Sequence, residues 1–311
     1  MTTASSTDVP SLPTRSDEDR WIWQSFYQHS RTFSLAARLL PRSVRMPIAT
    51  LYMFCRRVDT IADQRVLEVG AQEALSEVCA VRHELDQTLT GHPPAADVLW
   101  RRLAEVHETY SLDRTPLYEL IEGAEWDLEG RSVDTLDDLV AYSNLVGGSV
   151  GAMMLPFLVD SDAKRDELEP AARHLGIAMQ ITNILRDVGE DLSELERVYL
   201  PSRWLQRHGI GLPDLNGHGL PAPYPSLLER AMQAAEARYT TSFNGVQALP
   251  FQVRIGIRAA ARMYREIMNE VRALGYDNLN HRAYVPFSRK LRLVIHDDYD
   301  RRKQRLVNGH A

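Results

Sequence analysis

The pattern of hydrophobic and polar positions along the chain predicts a protein built from helices. Apolar residues recur at intervals of three and four through most of the sequence, and the strict alternation of a half-buried strand is nearly absent. No internal repeat and no domain linker is evident, so we expect one all-α domain. The pattern predicts helices over residues 18–40, 43–66, 70–90, 95–110, 114–129, 135–158, 165–193, 225–245, 250–274 and 281–305.

Two segments fall outside this helical pattern. The N-terminal residues are polar and lack periodicity, so we expect a disordered leader over residues 1–16 and a single domain over residues 17–306. The second segment, HGIGLPDLNGHGLPAPYP at residues 208–225, is rich in Gly and Pro. Irregular stretches of this length are uncommon inside domains. The segment is therefore either a lid over a functional site or a plain surface insertion.

Composition and charge exclude several classes of protein. The net charge of −6 gives no support for a nucleic-acid binder. Two cysteines make neither a disulfide framework nor a zinc site. The leader has no apolar core of a secretory signal, and no uninterrupted apolar run reaches the roughly 18–20 residues of a membrane span. We expect a cytoplasmic protein, with peripheral contact at the inner face of the membrane left open.

Two predicted helices each carry a pair of aspartates four residues apart. Asp59 and Asp63 lie in RRVDTIAD, and Asp187 and Asp191 lie in NILRDVGED. Four residues turn through about 400° of helix, so each pair projects from one face. Such a pair usually marks a solvated surface, but the apolar flanks here predict burial, and buried carboxylates require cations. The two pairs therefore predict bound Mg²⁺, with Mn²⁺ as an alternative, held by oxygen ligands and shared phosphates.

The second aspartate segment contains two further polar residues on the same side of its helix. Asn183 precedes Asp187 by four residues, and Gln180 precedes Asn183 by three. Over the eight residues from Asn183 to Asp191 the direction drifts by only about 80°. We therefore expect Asn183, Asp187 and Asp191 to form one wall of the site.

A third segment, AYSNLVGGSVGAMM, concentrates small residues over positions 147–152. The resulting groove would admit either a closely packed neighbouring helix or a long apolar chain at the centre of the bundle. Tyr142 precedes the groove and could present its hydroxyl at the groove mouth. The residues alone leave both interpretations open.

Five segments, in the same order along the chain, resemble the squalene/phytoene synthase family. They span most of residues 25–295 and read HSRTFSLAARLLP (29–41), LYMFCRRVDTIAD (51–63), YSNLVGGSVGAMM (142–154), QITNILRDVGEDLSELERVYLP (180–201) and RAYVPFSRKL (282–291). The resemblance implies a single-domain isoprenoid synthase bundle around a central apolar cavity. It also implies Mg²⁺-dependent head-to-head condensation of two prenyl diphosphates through a cyclopropyl diphosphate.

The resemblance also assigns roles to individual residues. It implies metal binding by Asp59, Asp63, Asn183, Asp187 and Asp191, with the four aspartates and Tyr142 as catalytic residues. The residues that it implies around the substrate diphosphates are His29, Ser30, Arg31, Tyr52, Arg56, Gln180, Arg186 and Arg289. One departure is Thr60, which stands where the family more often has the second aspartate of DDxxD. Position 60 lies about 100° from Asp59 around the helix, so we expect metal binding to survive.

Within the family, the first and last of these segments look more like the bacterial carotenoid branch. That branch implies a prenyltransferase that joins two C20 geranylgeranyl diphosphates to phytoene, the first committed step of carotenoid biosynthesis, without NADPH. The alternative is a C15-using relative that makes dehydrosqualene, squalene or presqualene diphosphate. A non-catalytic assembly protein of the same fold is a rival that the retained aspartates disfavour. Monomer and homodimer both stay open.

Overall fold

The computed structural model describes residues 14–217 and 219–293, apart from the side chains of Arg31 and Thr32. Over these two ranges every regular element is a helix and no strand occurs, which confirms the predicted all-α class. Residues 287–293 form the last described helical segment. The α-helices before it are α1 (Arg15–His29), α2 (Arg31–Ala37), α3 (Arg42–Thr60), α4 (Val66–Val69), α5 (Ala71–Leu89), α6 (Val98–Tyr110), α7 (Arg114–Leu128), α8 (Leu136–Ser143), α9 (Ser149–Leu158), α10 (Asp162–Leu195), α11 (Ser202–Arg207), α12 (Leu212–Leu215), α13 (Tyr224–Ala248) and α14 (Phe251–Ala273).

The start of the chain differs from the prediction at both ends of its first helix. Helix α1 begins at Arg15, inside the expected leader, because Thr14 and Asp17 form a reciprocal capping box. Residues 1–13 lie outside the described residues. The single helix expected over 18–40 is broken at Ser30, whose hydroxyl accepts a hydrogen bond from the Phe33 amide (3.2 Å) and caps α2.

Two π-helical turns interrupt the helices that carry the candidate motifs. The first, Ile61–Arg65, follows α3 directly and contains Asp63, and the second, Asn144–Gly148, joins α8 to α9. A π turn holds more residues than an α turn and commonly occurs at functional sites. Asp59 and Asp63 therefore do not share one regular α-helix as predicted, but their carboxyl groups remain close, because the charge of Asp63 raises the pKa of Asp59.

Helix α10 is the longest element and packs against α9, α13 and α14. Its contact with the preceding segment depends on glycine, because a Cβ added to Gly176 would lie 2.0 Å from the carbonyl oxygen of Gly147. A Cβ on Gly151 would lie 2.2 Å from the carbonyl oxygen of Ala172. The small residues of the third segment thus allow backbone-to-backbone packing on α10, which confirms the first of their two interpretations.

One apolar stretch meets the length and composition of a membrane span. Among the described residues this stretch is Leu136–Leu158, and half of it is buried inside the bundle. A buried core helix meets the same two criteria. The Gly147 and Gly151 contacts with α10 place the stretch in the core.

We predict that Gly176→Ala destabilises the protein by about 1–3 kcal/mol, the usual cost of overpacking a tight contact. The added methyl would collide with the Gly147 carbonyl, which belongs to backbone and cannot rotate away. Urea unfolding followed by circular dichroism measures the change. Gly217→Ala is the matched control, because its nearest neighbours would lie 3.5 Å away, and it should unfold like the wild type. Equal midpoints for the two variants would contradict the packing argument.

Candidate active site

A deep apolar cavity runs through the bundle between α3, α9 and α10, with α2, α13 and α14 completing its walls. Its volume is about 250 Å³. Along α10 the lining residues recur with the helical period and include Leu168, Ala172, Leu175, Met179 and Asn183. The third segment lines this cavity as well as packing on α10, as its second interpretation requires, and the binding of an apolar chain there stays a prediction.

The polar lining of the cavity is gathered at one end. Asp59 and Tyr52 come from α3, and Gln180 and Asn183 come from α10, so the two predicted motif helices meet at the cavity mouth. The Asn183 amide donates to Oε1 of Gln180 (3.4 Å). The Asn183 Oδ1 atom is buried without a hydrogen-bond partner. A buried carbonyl-type oxygen without a donor is costly, and it suits a cation.

The carboxyl groups at this end repel one another. Burial, and then the charge of Asp63, raises the pKa of Asp59 to about 7. Burial and the charges of Asp187 and Asp63 raise the pKa of Asp191 to about 8. The pKa of Asp63 is raised by burial and lowered in part by Arg197. Aspartates of both motifs therefore lie close enough to act on each other, as the two-wall interpretation requires.

Arginines neutralise part of this negative charge. The Arg186 guanidinium donates to Asp187 (Nε to Oδ1, 2.7 Å), and Arg282 binds the same carboxylate (2.9 Å). On the opposite wall, Arg197 lies 3.5 Å from Asp63 and donates to the carbonyl of Ala62 (3.1 Å). Since arginine forks match phosphate oxygens as well as carboxylates, these side chains could also contact a diphosphate.

Asp127 on α7 joins this cluster, although the sequence analysis did not single it out. It accepts hydrogen bonds from the hydroxyls of Tyr142 (2.8 Å) and Tyr199 (2.9 Å). The two tyrosine rings stack with centroids 4.8 Å apart. Burial raises the pKa of Asp127 to about 6, against the opposing effect of Arg197. Tyr142 is therefore buried in a carboxylate–tyrosine cluster and does not line the cavity among the described residues.

Aromatic rings form a belt at the cavity mouth. Tyr52 contacts Phe26 (centroids 4.8 Å apart) and Phe33 (6.2 Å), and Phe33 contacts Tyr264 (4.9 Å). Arg186 hydrogen-bonds the Tyr264 hydroxyl, which ties the belt to the second aspartate segment. Burial raises the pKa of Tyr52, so its hydroxyl stays protonated.

The other residues implied by the resemblance have varied positions. Arg56 lies near Asp59 and Asp63, and its buried Nε has no hydrogen-bond partner. Ser30 caps α2, and the exposed His29 ring donates from Nδ1 to the Ser25 carbonyl (2.7 Å).

Two arginines from the same set need separate mention. Arg289 pairs with Glu266 and with Glu270 (3.1 Å) on α14 and does not line the cavity among the described residues. The side chain of Arg31 lies outside the described residues.

A close backbone contact brings the segment after α14 onto α10. The Gly189 amide donates to the Asn278 carbonyl (3.1 Å), and a Cβ on Gly189 would lie 2.1 Å from the carbonyl oxygen of Leu279. The Asn278 side chain in turn donates to the Leu185 carbonyl (2.7 Å). This contact explains the glycine inside DVGED and sets Arg282 over Asp187.

The irregular segment over 208–225 packs away from the cavity. Its Ile210 and Leu215 are buried in an apolar cluster with Trp204 and Tyr224, and none of its described residues lines the cavity. His218 lies outside the described residues. These contacts favour the surface-insertion interpretation over the lid.

The residues at the mouth fit a divalent cation that shares its ligands with a diphosphate. Within the described residues, no group of three or more His, Cys, Asp or Glu side chains is placed to hold a metal ion by itself. Mg²⁺ in phosphate-processing sites needs only one or two carboxylates, with water and phosphate completing its shell. The carboxyls of Asp59 and Asp191, each repelled by the charge of Asp63, and the unpartnered oxygen of Asn183 supply such donors.

Comparison with known proteins gives this geometry a context. The family model for squalene/phytoene synthase matches residues 26–289. The chain belongs to the squalene/phytoene synthase family. It is 38% identical to a phytoene synthase of Rhodobacter capsulatus, over 85% of this chain and 76% of the relative. It is 32% identical to a phytoene synthase of Arthrospira platensis, over 89% of this chain and 91% of the relative.

Solved structures of this family share the fold. A dehydrosqualene synthase crystallised with a ligand superposes with a TM-score of 0.81 at 29% identity, covering 93% of this chain and 98% of that one. A squalene synthase from Alicyclobacillus acidocaldarius gives a TM-score of 0.72 at 22% identity, covering 85% and 97%. The predicted isoprenoid synthase bundle is thereby confirmed, and the chain is a prenyltransferase-type member of the family.

We predict that the metal-free protein loses stability as pH rises from about 4 towards 8. The Asp59 carboxyl has a higher pKa in the folded protein (about 7) than its usual value of 3.8, so the folded state binds more protons over this interval. Removing the charge with Asp59→Asn should raise the free energy of unfolding at pH 8 by on the order of 1–2 kcal/mol, after discounting for partial exposure.

Chemical denaturation in EDTA at pH 5 and pH 8 measures both effects. Asp160→Asn, at an exposed carboxylate after α9, is the control and should leave stability unchanged at either pH. An Asp59→Asn variant that is less stable than wild type at pH 8 would contradict the proposed repulsion.

Proposed function

We propose that this protein catalyses the Mg²⁺-dependent head-to-head condensation of two geranylgeranyl diphosphates to phytoene, through the cyclopropyl intermediate prephytoene diphosphate. Two diphosphates and two protons are released as two C20 groups become one C40 hydrocarbon: one proton leaves as the cyclopropyl diphosphate forms and the other after that intermediate loses its diphosphate. No step needs a reductant, so NADPH is not part of the proposal. The relatives from R. capsulatus and A. platensis, both named phytoene synthase, support this choice within the family.

One observation carries the proposal: an apolar cavity opens at a mouth where both aspartate helices present oxygen ligands. Asp59 and Asn183, from opposite walls, line the same end. A prenyl diphosphate has this polarity, with a charged head and a long apolar tail. Burial of the tail at about 0.8 kcal/mol per methylene would supply binding energy for positioning the reacting carbons.

The residues around the mouth have separate roles in the proposed reaction. When bound, Mg²⁺ would neutralise the diphosphates and stabilise them as leaving groups, with Asp59, Asp63, Asn183, Asp187 and Asp191 as the residues that would hold it. Arg56 and Arg186 are close enough to these carboxylates to orient diphosphate oxygens.

The aromatic belt and the apolar walls protect the cationic intermediates. The ring faces of Phe33 and Tyr52, which line the cavity, would attract an allylic cation, each by about 0.5–2 kcal/mol. The apolar lining excludes water, which would otherwise capture the cation as an alcohol. Tyr142 does not line the cavity formed by the described residues, and we propose a positioning role for it: its hydroxyl donates to Asp127 (2.8 Å) and holds that carboxylate beside the aspartates of the two motifs.

The apolar product also bears on location. A C40 hydrocarbon is insoluble in water, so we propose release into the inner face of a membrane by a protein that associates with it peripherally. This part of the proposal rests on the chemistry of the product. The reaction as proposed does not depend on whether the protein is a monomer or a homodimer.

The decisive experiment supplies purified protein with Mg²⁺ and either C15 or C20 prenyl diphosphate, with and without NADPH. Mass spectrometry should detect a C40 hydrocarbon with a conjugated triene from the C20 substrate, in equal amount without NADPH, and EDTA should abolish it. Exclusive use of the C15 substrate would replace the proposal with dehydrosqualene or presqualene diphosphate synthesis. Absence of any condensation would support the non-catalytic rival.

We further predict that Asp59→Asn and Asp187→Asn each lower turnover by at least about 100-fold, since each removes a charge that would hold the cation. The helical circular dichroism spectrum should stay unchanged. Asp160→Asn, an equivalent substitution at an exposed site, should retain wild-type turnover. Wild-type rates in either motif variant would remove that aspartate from the metal-binding set.

A further inference from the structure

The cavity has a floor as well as a mouth. Leu158 at the end of α9, Leu168 near the start of α10, and Val246 and Leu249 at the end of α13 all line it. All four are nearly inaccessible to solvent and belong to one apolar cluster. Asn183 lies at the opposite, polar end, so α10 runs along the cavity from floor to mouth.

Helix α10 therefore provides a scale for the depth of the cavity. With a rise of about 1.5 Å per residue, Ala172 lies about 16 Å and Leu168 about 22 Å along the helix from Asn183. Each isoprene unit contributes about four main-chain carbons and one methyl branch, and each carbon–carbon bond advances an extended chain by about 1.3 Å. A C15 prenyl group, with about 12 main-chain carbons, therefore spans about 14 Å, and a C20 group, with about 16, spans about 19 Å. The C15 tail would end short of Ala172, whereas the C20 tail would end between Ala172 and Leu168.

The position of the floor is rigid because backbones and small residues meet there. A Cβ on Gly245 would lie 2.2 Å from the Cβ of Ala171, so α13 crosses α10 in direct contact at this level. On the other side, the carbonyl of Ala172 packs where a Cβ of Gly151 would be. The backbone around Ala172 and Leu168 is thus held on two sides and cannot retreat from a longer tail.

We propose that Ala172 and Leu168 select the length of the prenyl tail that enters this cavity. The small side chain of Ala172 leaves room for the fourth isoprene unit, and Leu168 stops the chain beyond it. This inference rests on the proposed function and adds the residues that determine its substrate. It assigns selection to side chains about 16–22 Å from the carboxylates, outside the diphosphate site.

The test measures kcat/KM for C15, C20 and C25 prenyl diphosphates in single-residue variants. Ala172→Phe should fill the space beyond a C15 tail and lower the C20-to-C15 ratio of kcat/KM by at least about tenfold, the scale of a steric mismatch in an apolar pocket. Ala172→Met, which is thinner and more flexible, should shift the ratio the same way by less. The Met variant also provides an independent measurement of the same ratio if the Phe variant folds poorly.

The opposite substitution tests the floor. Leu168→Ala should raise the use of the C25 substrate relative to C20 by at least about tenfold, because the floor would recede. Ala163→Phe is the matched control, since Ala163 is exposed on the same helix outside the cavity, and its ratios should equal those of wild type.

The outcomes separate this inference from the proposed function. If the wild type condenses C20 diphosphate and the Ala172 and Leu168 variants keep its chain-length ratios, selection by these residues is wrong and the proposed function stands. If the wild type condenses no prenyl diphosphate, both fail. The inference would be supported if the Ala172 variants favour the shorter substrate, Leu168→Ala favours the longer one, and Ala163→Phe keeps the wild-type ratios of kcat/KM.

Discussion

The structure is organised around one constraint: carboxylates must be held at the end of an apolar cavity, where burial and mutual repulsion oppose their ionisation. Asp59 and Asp191 come from different helices and both have raised pKa values for this reason. Apolar residues at these positions would serve stability as well or better. The arginines that touch the cluster leave the carboxyls at its centre under-neutralised. A cation bound with a diphosphate would supply the missing positive charge, so the repulsion among these carboxyls and their capacity to bind a cation have the same origin.

Such a cluster requires a framework that does not relax. Helix α10 provides this framework through three of its faces. One face packs at Gly176 against the backbone of Gly147, a second lines the cavity, and the third presents the polar residues of the second aspartate segment. Since a helix fixes the angles between its faces, the glycine contact also fixes the direction of Asn183. The docking of the segment after α14 at Gly189 adds a second support beyond the mouth. Packing and chemistry are thus coupled through the register of one helix.

A feature of this structure could be predicted from the sequence when the residues that produce it are close together along the chain. Helices and the aspartate pairs are visible because their periodicity is local. The break at Ser30 was missed because a cap can lie within an apolar period, and the π turn at Asp63 was missed because it depends on tertiary packing. Asp127 was missed because its partners come from distant elements. The available signal was a lone carboxylate between Trp126 and Leu128, in a helix that is otherwise apolar on that side.

The residues that decide substrate length are hidden from sequence for a different reason. Ala172 and Leu168 are ordinary apolar helix residues by composition and periodicity, and only their position far from the polar mouth distinguishes them. Mouth and floor are separated by about four turns of α10, so a change at the floor can alter the accepted tail without moving the carboxylates. The motifs that identify the family therefore contain no information about the length of the prenyl tail. They belong to the end of the cavity that would bind the diphosphate, whereas the residues proposed to select the tail act through the volume of their side chains.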